Sequence, residues 1–143
     1  MISNYSFETE MKTHFDKAKN SILNFGLLIP TVFIYSDKGI LIMSDFDFAD
    51  RYAARQIIRE LIARDKADMV VIACEAMKKN NSGMFPATLK SHQQLVCIYG
   101  ETEKQNMLIA QEFEFAKNKK IVFRNLKIGT DQCSGSLTGY FKP

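Results

Sequence analysis

Nine residues at 69–77, Met-Val-Val-Ile-Ala-Cys-Glu-Ala-Met, are apolar at every position but one. Near-continuous hydrophobicity of this length reads as a central β-strand buried on both faces. The flanking sequence supplies the rest of a sheet and two helices. Residues 7–25 form an amphipathic helix, because Phe7, Met11, Phe15, Ala18, Ile22 and Phe25 recur at steps of four and three. Ser6 is the expected N-cap, Glu8 and Glu10 suit the positive end of the helix dipole, and Gly26 is the expected stop.

Segments 28–36 and 40–44, joined by Asp37-Lys38-Gly39, read as a β-hairpin with Pro30 near its start. Asp45, Asp47 and Asp50 crowd the start of a second helix over 48–65. Its expected core positions are Phe48, Tyr52, Ile57 or Ile58, Leu61 and Ile62, and Asp47–Arg51 and Glu60–Arg64 stand at ion-pair spacing. Residues 78–94 read as a long loop, and a connection of that length is expected to be functional or mobile. Strands are expected at 95–100, 107–115 and 121–128, with a polar turn at 101–106 and a loosely ordered tail at 129–143.

The order α-β-β-α-β-β-β-β predicts one α+β domain over 1–143. It would be a mainly antiparallel five- or six-stranded sheet with two helices on one face. The passage through the second helix is long enough for one parallel strand pair.

Composition limits the class. With 46% hydrophobic residues, 11 of them Phe, the chain can bury a core and is not disordered. Cysteines at 74, 97 and 133 are odd in number and far apart, which excludes a disulfide scaffold. The longest apolar run, 27–35, is too short to cross a membrane, and the first residues lack the apolar core of a signal peptide. No membrane association and a cytoplasmic location are therefore expected. The net charge of +3 conceals an uneven distribution: +3 over 78–94, +5 over 117–143 and −5 over the remainder.

The run 67–77 also carries a resemblance. It is similar to a strand in which Ala-Asp is followed by four apolar residues, one variable position and Ser-Glu-Ala-Trp. Three further fragments extend the likeness over residues 12–141: Gly26, Pro30 and Thr31 at the first hairpin; Gly100-Glu101-Thr102; and Gly135-Ser136-Leu137-Thr138-Gly139. Together they resemble a family of short uncharacterised bacterial and phage-associated proteins of unknown function. Cys74 stands where that family has Ser, and Met77 where it has Trp. The resemblance implies the same element order and brings no activity with it.

Several constellations bear on chemistry. Asp45-Phe46-Asp47 after an apolar strand resembles the nucleophile motif of haloacid-dehalogenase-type phosphotransferases, in which Mg²⁺ neutralises charge. Helix N-termini recruit Asp for capping alone, which is the preferred reading. A Cys97–His92 or Cys133–His92 dyad is open, whereas Cys74 in its apolar strand reads as core. Without Cys-x-x-Cys, paired-histidine or glycine-rich phosphate motifs, neither a metal nor a cofactor is expected. Glu75 must reach water or a partner, such as basic groups of the second helix or the closing segment.

Arg51, Arg55 and Arg59 form a stripe at four-residue steps. With Glu75, Lys78, Lys79 and His92 they make the candidate binding set. Its partner would be an anionic ligand, a nucleotide or nucleic acid. The preferred reading of the stripe is a solvated helix face paired with Asp47, Asp50 and Glu60. The leading reading is a non-enzymatic interaction domain that self-associates or binds a protein partner. The element order resembles roadblock-type dimerisation domains, which implies an apolar edge or face paired across a two-fold axis. Anion binding is the alternative, and Mg²⁺-dependent phosphate chemistry at Asp45 and Asp47 the third reading.

Overall fold

The computed structural model describes residues 4–79, 83–86, 94–130 and 138–141. Its elements are α1 (Asn4–Phe25), β1 (Thr31–Ser36), β2 (Gly39–Ser44), α2 (Arg51–Asp65), β3 (Met69–Lys79), β4 (Gly83–Pro86), β5 (Gln94–Thr102), β6 (Asn106–Phe115) and β7 (Ile121–Thr130). The fold is α+β. Strands follow the order β2-β1-β3-β5-β6-β7, with β4 alongside the end of β3, and every pairing among the described residues is antiparallel.

The apolar run occupies β3 and feeds two separate cores. Met69, Val71 and Ala73 point to one face, while Val70, Ile72, Cys74 and Ala76 point to the other, all at most 7% exposed. Phe7, Met11, Phe15, Ala18 and Ile22 of α1 cover the first face, against Val96 and Ile98 of β5 and Met107, Ile109 and Phe113 of β6. Ala54, Ile58 and Ile62 of α2 cover the second, against Val32, Ile34, Leu95 and Cys97. The helices therefore lie on opposite faces, which corrects the expectation of both on one. Burying a large apolar side chain contributes about 1.5–3 kcal/mol, so a strand apolar on both sides favours a cover on both.

The room for a parallel pair is filled differently. β2 and β3 each pair antiparallel with β1, so they run in the same direction with β1 between them. The expected 78–94 loop is also partly strand. β3 runs on to Lys79 and pairs residues 76–79 with 83–86, the short return strand β4.

Helix boundaries and faces shift in detail. α2 starts at Arg51, capped by Asp50, whose carboxylate accepts from the Ala53 N–H at 3.0 Å. Phe48 is buried ahead of the helix, while Tyr52 is 74% exposed and Ile57 also faces out, so the core stripe is Ala54, Ile58 and Ile62. α1 begins three residues earlier than expected and takes Ser6 into its first turns. Its last turn leaves Phe25 76% exposed. Gly26, at φ +75°, then turns the chain so that Leu28 packs on the α1 core instead. Among the described residues no helix is long and apolar enough to cross a membrane.

Candidate functional site

Two carboxylates on the central strands hold the connecting segments in place. On the α1 face, Glu75 of β3 accepts the Leu28 N–H at 2.9 Å through one oxygen and the Gln94 side-chain amide at 2.7 Å through the other. Among the described residues it meets neither α2 nor a basic group, where the expectation named both. Its partners come from the start of the first hairpin and from β5.

Glu101 sits at the end of β5 and is 4% exposed. One oxygen accepts from the Tyr99 hydroxyl at 2.5 Å and from the Gly139 N–H at 2.7 Å, and the other accepts from the Phe141 N–H at 2.9 Å. Arg55 of α2 donates to the Gly139 carbonyl at 3.3 Å. Tyr140, 3% exposed, packs into the α2 core beside Tyr99. Residues 138–141 are thus a docked segment at the end of the expected loose tail, and Glu101 belongs to a strand where a polar turn was expected. A hollow of about 150 Å³ at the β5–β6 turn adjoins this site, lined by Glu101, Thr102, Lys104, Asn106 and Phe141.

The expected binding set is not one site. Arg51, Arg55 and Arg59 lie half-buried on α2, and Arg55 is already engaged with the Gly139 carbonyl. Glu75 lies across the sheet on the α1 side. Lys78 and Lys79 are placed in β3 by their backbone alone, and His92 lies outside the described residues, as does Cys133.

Asp45 and Asp47 occupy the exposed turn before α2. Asp45 is left-handed at φ +57°, and Asp47 accepts the Ala49 N–H at 2.8 Å. Among the described residues no three His, Cys, Asp or Glu side chains are grouped to hold a metal. Cys74 and Cys97 face each other across β3 and β5, buried on the α2 side and not joined in a disulfide. Burial pushes the Cys74 thiol up to about 12 and the Cys97 thiol well above its ordinary value. Neither supplies a nucleophilic thiolate near neutral pH.

Between α1 and β1 lies a hydrogen-bonded trio that the sequence pattern did not reveal. The Tyr35 hydroxyl donates to Glu10 at 2.9 Å, so its oxygen accepts from His14 Nε2–H at 2.5 Å. His14 is 7% exposed and its ring lies 4.3 Å from that of Phe33. Burial lowers the His14 pKa below 6.5, opposed by Glu10 and reinforced by Lys17. The same burial, with Glu10, raises that of Tyr35. For a histidine with a depressed folded pKa, stability is full above the unfolded value near 6.5 and falls as pH drops through the folded one. Urea midpoints should therefore decline below pH 6.5, and His14→Phe should flatten that decline. An unchanged slope in the variant would remove His14 from the account.

The two sheet edges differ in chemistry. β7 carries Arg124 and Lys127 and is kinked by a bulge opposite Gln111 and Glu112, with Asn125 left-handed at φ +48°. Arg124 pairs with Glu114 at 2.7 Å. β2, Gly-Ile-Leu-Ile-Met-Ser, has no charge, no proline and an unbroken register with β1. Leu41 and Met43 pack toward the α2 core, while Ile40 and Ile42, on the other face, are 51% and 57% exposed. Compared with known protein families, curated proteins and solved structures, the chain matches none.

Proposed function

We propose that this chain is a self-associating interaction domain whose β2 edge pairs with β2 of a second copy across a two-fold axis. The observation that carries the reading is the contrast between the edges. An edge strand presents unpaired N–H and C=O groups, and monomeric proteins blunt such edges with charges, bulges or proline. β7 has two of these devices and β2 has none. An isologous antiparallel pair sets a strand against itself, which would bring the cations of β7 together but places no like charges opposite in β2. Ile40 and Ile42 of each copy would then be covered. The reading is of a binding domain without catalysis, and a cytoplasmic location fits two buried cysteines outside any disulfide.

Light scattering on a sizing column tests it. The wild-type chain should elute with twice its 16.3 kDa mass, and Ile42→Lys should return it to one copy with its circular dichroism unchanged. Burying a lysine against its symmetry mate is expected to weaken pairing by at least about tenfold. A wild-type monomer at millimolar concentration would contradict the proposal.

A further inference from the structure

We infer that Glu101, Tyr99 and Arg55 form a recognition site for a Gly-Tyr-Phe turn, occupied in cis by residues 139–141 and exchangeable with the same segment in trans. The contacts are those of segment recognition. Glu101 takes the N–H groups of residues 139 and 141, and Arg55 donates to the carbonyl of 139, so three polar contacts read backbone alone. Two N–H groups of one turn converge on a single carboxylate, the way a curled backbone holds an anion. Side chains add selectivity. Tyr140 is buried beside Tyr99 in the α2 core, and Phe141 borders the hollow at the β5–β6 turn. Gly139 has φ +76°, and a Cβ there would lie 3.3 Å from Arg55 Nη2, so this position is built for glycine.

Two features point to exchange rather than permanent closure. Arg55 Nε and Tyr140 Oη are both buried with no hydrogen-bond partner among the described residues, so docking leaves two donors unsatisfied. Leaving the site would return both to water, together with the three groups on Glu101. Segments held by few contacts open well below the free energy of global unfolding. Tyr140 and Cys74 belong to the same buried cluster, so release would thin the cover of Cys74.

The test uses the full chain with Cys133→Ser, leaving Cys74 and Cys97 as its only thiols. In the native protein the Gly139 and Phe141 amides should exchange at least about tenfold faster than Ile98 in the middle of β5, reporting local opening. In Tyr140→Ala, a fluorescent peptide Leu-Thr-Gly-Tyr-Phe-Lys should bind saturably and slow the reaction of Cys74 with an aromatic disulfide reagent. Adding Glu101→Gln, or replacing the peptide glycine by alanine, should abolish both effects. Exchange of Gly139 and Phe141 at the Ile98 rate would show that the segment leaves only on global unfolding and would overturn the inference, even if Tyr140→Ala fails to fold. Absence of peptide binding to a folded Tyr140→Ala chain would overturn it equally.

Discussion

Phe7→Ala is expected to lower the free energy of unfolding by about 3–5 kcal/mol, the cost of emptying a fully buried aromatic site. Phe25→Ala should change it by less than about 0.5 kcal/mol, as at an ordinary surface position. The two phenylalanines belong to one helical stripe in the sequence, yet Phe7 is 0% exposed and Phe25 is 76% exposed. Phe7 packs over β5 near Gly100, whereas Phe25 lies on the last turn of α1. Urea midpoints at one fixed protein concentration check the contrast, since association contributes to apparent stability. Equal losses at both positions would show that the α1 terminus is covered in solution.

Gly100→Ala should be the second damaging change, with a cost of about 1–3 kcal/mol from overpacking. Gly100 faces α1 from β5, and a Cβ there would lie 2.2 Å from Met11 Sδ and 3.3 Å from Phe7 Cε1. Met11 is 0% exposed and has no open water to swing into. Met11→Ala alone should cost about 2–5 kcal/mol through the space it leaves. Combined, the two changes should cost less than their sum by at least about 1 kcal/mol, because the new methyl group partly refills that space. Strict additivity would mean that α1 does not rest on Gly100.

The antiparallel sheet, the two helices and the central place of 69–77 were legible because hydrophobic periodicity reports them directly. The placement of the helices was legible too, in a residue pattern given too little weight. Met69, Val71 and Ala73 are as apolar as Val70, Ile72 and Cys74, so each face of β3 needs a cover. Phe25 and Tyr52 show what periodicity leaves out: it identifies a helix face but not which positions along it the rest of the chain covers.

The role of Glu101 was hidden for a different reason. Its N–H partners lie 38 and 40 residues away, so no local pattern distinguishes it from a glutamate in a turn. Arg55 stood out as a cation in a stripe, but its acceptor is a backbone carbonyl 84 residues later. Glu75 and Glu101 do parallel work on the two faces of the sheet. Glu75 holds Leu28 and Glu101 holds Gly139. Their common role is to fasten chain segments to the central strands. The edge contrast was partly legible, since Gly-Ile-Leu-Ile-Met-Ser is visibly uncharged, but only the strand order shows that it lies at an edge.

Amide hydrogen exchange measured as a function of protein concentration tests the pairing of β2 most directly. Alternate residues of an edge strand direct their N–H groups away from the sheet, so one half of the β2 amides depends on a second copy for protection. The outward amides of β2 should slow at least about tenfold between micromolar and millimolar protein, while β7 amides stay unchanged. Fast exchange in β2 at every concentration, or protection that appears along β7 instead, would contradict the account.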